Sequence, residues 1–239
     1  MSTPTNEPWT YEKSGGLDYP VESGQIWAVG QLKGSTGFHV YACLDFMSDF
    51  GHSRVQELLR YSNPTLLYCD PPWNQGNGNA FRTKAGLERA EYTWLELYQR
   101  IVSYVPQTFP VWLESGRRQM PEIVSQVLNG RPNVKIVEAT YYRRNPSLIC
   151  YSGPDLAPVD LTGMDDEDTP GVVMQAYQKG LVFDPCAGRG CTPVHAAKLG
   201  WSSLSIELSP HRTSAGLHAL AEVTHMQPHQ LMFGLGSRY

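Results

Sequence analysis

The sequence predicts an α/β protein: a mostly parallel sheet with an antiparallel hairpin at one edge and helices on both faces. Three observations predict it. Short apolar runs alternate with longer stretches of helical spacing along most of the chain. Two of these runs end at an aspartate followed by proline, Asp70-Pro71 and Asp184-Pro185, which marks a strand delivering a carboxylate to a turn. A further two, Val134 to Thr140 and Leu148 to Tyr151, are separated by Arg143-Arg144-Asn145-Pro146, too close together for a parallel crossover.

In chain order, residues 1–24 are rich in Pro, Ser, Gly and Thr and read as a loosely ordered arm, with Trp9, Tyr11 and Tyr19 available to anchor it. Strands are expected at Ile26 to Val29 and Phe38 to Leu44, the second ending before Asp45. Val55, Leu58 and Leu59 place a helix over Ser53 to Tyr61, and the strand Thr65 to Cys69 follows. Gly, Asn and Gln dominate Asn74 to Asn79, which reads as a mobile loop. Next come a helix near Tyr92 to Tyr104, a strand at Phe109 to Leu113, a helix at Pro121 to Leu128 and the hairpin pair. Residues 152–170 turn to Gly, Pro and acid and read as a linker or exposed insertion. A helix at Gly171 to Gln178, the strand Leu181 to Phe183, a Gly-rich turn, a helix at Thr192 to Leu199, a strand at Ser203 to Ile206 and a helix to about Thr224 complete the chain.

The 239 residues suit one domain, taken as 25–239. Apolar content of 41% without any run approaching the roughly 20 residues of a membrane span predicts a soluble protein, and an N-terminus with neither basic start nor apolar core predicts a cytoplasmic one. Five scattered cysteines with no CxxC pair point to reduced thiols and no metal. A net charge of −4 is unusual for a protein that grips a polyanion unaided. Basic residues nevertheless gather in two places, Arg82 with Lys84 and the segment holding Arg117, Arg118, Arg143 and Arg144, which together read as a phosphate track.

Asp70-Pro71-Pro72-Trp73 carries the chemistry. A carboxylate and a rigid proline carbonyl at a strand end can accept both N–H bonds of an exocyclic amine, aiming its lone pair at an electrophilic methyl carbon. Trp73 is placed to stack on a flat base and face the developing charge. Downstream, Asp184-Pro185-Cys186-Ala187-Gly188-Arg189-Gly190 combines a strand-end acid with a glycine turn, and Glu207 ends the next strand where an acid would accept ribose hydroxyls.

On these residues the chain resembles the S-adenosylmethionine-dependent amino-methyltransferases of adenine N6 and cytosine N4, in the permuted group whose catalytic motif precedes the donor motif. The resemblance spans roughly Phe38 to Thr224 and implies a Rossmann-like methyltransferase fold with a mostly parallel seven-stranded sheet. It implies catalytic roles for Asp70, Pro71, Pro72 and Trp73. It also implies S-adenosylmethionine held by Asp45, Asp184, Pro185, Cys186, Gly188, Gly190, Thr192 and Glu207. Asp70 at the head of the motif favours adenine, since cytosine-N4 enzymes more often carry serine there. Cys186 stands where the family usually has phenylalanine, and the acidic stretch occupies the place of a target-recognition region. The expected partner is therefore DNA, with a specificity subunit or a second copy of the chain supplying sequence reading. Two alternatives remain open: an RNA adenosine-N6 methyltransferase, and a silent donor-binding subunit of a methyltransferase complex.

Overall fold

A computed structural model describes residues 19–30, 37–141, 145–154 and 159–231. The strands are β1 (Ile26–Val29), β2 (His39–Cys43), β3 (Leu66–Cys69), β4 (Val111–Ser115), β5 (Lys135–Tyr141), β6 (Asn145–Ser152), β7 (Leu181–Asp184), β8 (Ser202–Glu207) and β9 (His229–Gln230). The helices are α1 (Asp49–Ser62), α2 (Gln75–Lys84), α3 (Trp94–Ser103), α4 (Met120–Glu122, continued by a π-helical turn over Ile123–Val127), α5 (Thr169–Gln175), α6 (Cys191–Leu199) and α7 (Pro210–Thr224).

The nine strands of the described residues join one sheet in the order β5-β6-β4-β3-β7-β8-β2-β1-β9. This corrects the expectation of seven mostly parallel strands, for the sheet is mixed. Its five central strands, β4-β3-β7-β8-β2, are parallel, and each flank is antiparallel, with β6 and β5 on one side and β1 and β9 on the other. The β5–β6 hairpin lies at an edge as expected. The opposite edge closes with the two-residue β9, whose exposed polar residues carry no hydrophobic pattern to predict a strand.

Alternation along the central strands explains the helical layers. Leu67, Cys69, Leu113 and Phe183 point to a core shared with α1, α3 and the π-helical turn. Leu66, Tyr68, Trp112 and Val182 point oppositely, to α5 and α6, while Tyr41 and Cys43 meet α7. Central strands buried on both faces read as continuous apolar runs, which is why the sequence reveals them. Among the described residues no helix is long and apolar enough to cross a membrane.

Two segments depart from expectation. Asn74 to Asn79 begins a helix rather than a mobile loop. The Asn74 side chain caps it by accepting from the Asn77 amide, and the ends are tied down by side chains: Gln75 bonds both Tyr92 and Trp94, and Asn79 accepts from the Ala90 amide. These tertiary bonds offset the poor helix propensity of Gly76 and Gly78. The acidic stretch, described from 159 onward, is docked rather than exposed. Leu161 is fully buried, the Thr140 amide donates to the Met164 carbonyl, and the Asp166 amide donates to the Thr140 carbonyl. Of the N-terminal arm, residues 1–18 lie outside the described residues; Tyr19 packs on Trp27 with ring centroids 6.1 Å apart, and Val21 is buried.

A close approach fixes α7 on the sheet. A Cβ at Gly216 would lie 2.5–2.7 Å from the buried Tyr41 ring, whose hydroxyl donates to the Gly188 carbonyl. Gly216→Ala should therefore lower the urea midpoint at unchanged slope, by about 1–3 kcal/mol of overpacking.

Candidate active site

The parallel strands all point the same way, so their C-terminal ends form one rim. Each end carries an acid: Glu114 on β4, Asp70 after β3, Asp184 on β7, Glu207 on β8 and Asp45 just past β2. The strand order reverses between β3 and β7, because β4 lies on one side of β3 and the later strands on the other. Open α/β sheets form their ligand crevice at such a switch point. Asp70 and Asp184 stand on its two sides, with Cys69 and Cys186 facing each other beneath.

Asp70 is half-buried, and one of its oxygens accepts the Trp73 indole N–H at 2.9 Å. Burial pushes its carboxyl up to about 6, opposed by that hydrogen bond. The Trp73 ring lies 4.6 Å from Tyr141 at 53°, and its other neighbour is Gly116, where a Cβ would come within 3.1 Å of the indole. Trp73 thus braces Asp70, a role the motif alone does not reveal. Pro71 is buried and Pro72 half-buried.

On the β7 side, Asp184 turns inward and accepts from the Cys186 amide at 3.0 Å, with the buried Thr192 hydroxyl beside it. Burial pushes its carboxyl up to about 7 against these stabilising contacts. Pro185 is buried, and Cys186 packs into the core below. Gly188 and Gly190 adopt φ of +57° and +95°, the left-handed conformation that favours glycine. A Cβ on Gly188 would meet nothing closer than 4.0 Å, so the turn has open space above it. Glu207 accepts from the Ser209 amide at 2.8 Å, and burial raises its pKa against the opposing charge of Arg212.

Asp45 and Arg82, expected at different ligands, meet each other at 2.7 Å. Arg82 is therefore turned inward, with further bonds to the Glu88 carbonyl and the Tyr92 hydroxyl, rather than lying on an open phosphate track. The other Asp45 oxygen accepts from the Met47 amide. One residue before Arg82, Phe81 lies 4.3 Å beneath the Arg212 guanidinium, so α2 lies across the end of β2 and the start of α7. Lys84 and Arg118 are exposed, Arg117 pairs with Glu138 at 3.2 Å on the surface, and Arg143 and Arg144 lie outside the described residues. Among the described residues no group of three or more His, Cys, Asp or Glu is arranged to hold a metal ion.

No protein-family model and no curated protein matches the chain. Solved structures do match. The M1.HpyAVI–SAM complex superposes with a TM-score of 0.50 at 12% identity, over 70% of this chain and 94% of that one. The PvuII DNA methyltransferase, cytosine-N4-specific, superposes with a TM-score of 0.51 at 10% identity, over 80% and 93%. At these identities the likeness is one of fold.

Proposed function

We propose that this protein is an S-adenosylmethionine-dependent methyltransferase acting on the exocyclic N6 amine of adenine in DNA. The observation that carries the reading is the placement of Asp70-Pro71-Pro72-Trp73 and the Asp184–Gly190 turn on opposite sides of the sheet's switch point. In the supporting comparison the M1.HpyAVI structure is a complex with SAM, on the same fold.

The site suits such a donor. The open space over Gly188 admits such a donor against the turn. Glu207, with Asp45 as a second acid, would hold the donor's ribose and adenine, while the first amides of α6 and the turn face its amino-acid end. When bound, the donor supplies an electrophilic methyl group. Asp70 and the Pro71 carbonyl would accept the two N–H bonds of the amine and orient its lone pair, while Trp73 keeps the Asp70 carboxylate in place. DNA would be gripped by Lys84, Arg117, Arg118, Arg143 and Arg144, with sequence reading from a specificity subunit or a second copy. Asp70 at the head of the motif is what favours adenine over cytosine.

Ionised Asp70 is the stronger acceptor of an amine N–H, and only the ionised form can take the amine's proton. As pH falls through about 6 the carboxyl protonates, so kcat/KM should decline on the acid side with a midpoint near that value. A profile flat down to pH 4 would remove Asp70 from the role. Comparison of methyl transfer to duplex DNA, single-stranded DNA and RNA tests the substrate assignment; faster transfer to RNA overturns it.

A further inference from the structure

The Asp70 site contains a second buried carboxyl that nothing above uses. Glu114 follows Leu113, which pairs with Cys69 in parallel register, so Glu114 and Asp70 occupy neighbouring strand ends on the same sheet face. Glu114 is 0% exposed, and neither of its oxygens has a hydrogen-bond partner among the described residues. The buried Tyr68 hydroxyl on β3 lies close enough to feel the Glu114 charge, and the buried Ser147 hydroxyl on β6 stands beside the carboxyl, short of a well-formed hydrogen bond but near enough to favour its ionised form. Asp165 and Asp166, half-buried in the docked acidic segment, add further like charge to it.

A carboxylate buried with no well-formed hydrogen bond is costly, and Asp70 alongside compounds the cost by like-charge repulsion, which the neighbouring Ser147 hydroxyl opposes only in part. Burial first, and then the Asp70 charge, drive Glu114 far above the ordinary carboxylate range. It therefore carries a proton at neutral pH, which leaves Asp70 the charged member of the pair.

Resting on the methyltransferase reading, we propose that Glu114 is the proton-relay partner of Asp70, joining the amine site to the acidic segment at the rim. The amine nitrogen gains a methyl group as the sulfur–methyl bond breaks with its electron pair going to sulfur, which leaves one proton too many on nitrogen. Asp70 takes that proton. It then passes to Glu114, whose own proton leaves by the Ser147 hydroxyl toward Asp165, Asp166 and solvent. Both carboxyls return to their starting states, and one proton is released per methyl transferred. The acidic stretch, held to the sheet by Leu161 and the Thr140 bonds, thereby acquires a use as a proton exit.

Two measurements test the pair and the relay separately. Carbon-13 NMR of the side-chain carboxyls should show Glu114 protonated past neutral pH, with its midpoint falling when Asp70→Asn removes the neighbouring charge. A Glu114 that titrates near 4.5, or ignores Asp70→Asn, overturns the pair whether or not the protein methylates anything. For the relay, Glu114→Gln should lower kcat by about a hundredfold and Glu114→Asp by about tenfold or less, since only the latter can exchange a proton. Both variants should bind S-adenosylmethionine as the unmodified protein does. If Gln supports turnover as well as or better than Asp, Glu114 is a neutral packing group and the relay is wrong. An unmodified protein that transfers no methyl group overturns the methyltransferase reading and the relay's proton source with it, while the carboxyl titration still decides the pair.

Discussion

Asp70→Ala is expected to lower the methyl-transfer rate by about a thousandfold or more while leaving S-adenosylmethionine binding within about twofold. The two effects separate because Asp70 stands on the β3 side of the switch point, whereas the residues assigned to the methyl donor lie on the other side, at β7, β8, the end of β2 and α6. Trp73 loses a hydrogen-bond acceptor in this variant, but its ring remains packed between Tyr141 and Gly116, so the motif should keep its shape. Single-turnover transfer and calorimetric titration of the methyl donor measure the two quantities. Loss of donor binding together with transfer would mean that Asp70 holds the donor or the fold, and that the motif does not act on the amine.

Glu207→Gln is expected to weaken S-adenosylmethionine binding by roughly 1.5–3 kcal/mol, about 10- to 100-fold. Glu207 accepts from the Ser209 amide and is held as well by the Gly188 and Leu208 amides, of which the one amide oxygen of glutamine can keep only part. The other position then becomes an NH2 group, which cannot accept from a ribose hydroxyl. Burial already raises the Glu207 pKa, so a charge kept here at a cost is suited to a ligand that repays it. Unchanged affinity, measured by titration at neutral pH, would move the ribose elsewhere along the rim.

Much of the fold is legible in the sequence because the central strands are buried on both faces and must be apolar throughout. Thr65 to Cys69 and Leu181 to Phe183 are readable without any knowledge of their neighbours. β9 is not, because two exposed polar residues at an edge pay for their place with backbone hydrogen bonds alone. α2 is not, because its stability comes from Gln75, Asn79 and Arg82 reaching residues beyond the helix, contacts that propensity cannot report. The Asp45–Arg82 pair joins residues 37 positions apart and needed the fold to appear. Glu114 was missed for a related reason: at the end of Val111-Trp112-Leu113 a lone acid reads as a strand meeting solvent. A signal did exist. Asp45, Asp70, Asp184 and Glu207 each end an apolar run in the same way, and Glu114 completes that pattern on a fifth strand.

The most direct measurement of the central claim is to incubate the protein with isotopically labelled S-adenosylmethionine and methyl-free duplex DNA, single-stranded DNA and RNA, and to identify labelled nucleosides by mass spectrometry. The expected product is N6-methyldeoxyadenosine from DNA. Label in N4-methyldeoxycytidine would keep the amine chemistry and overturn the adenine assignment. Absence of label from every polymer, with donor binding confirmed by titration, would contradict the methyltransferase reading itself.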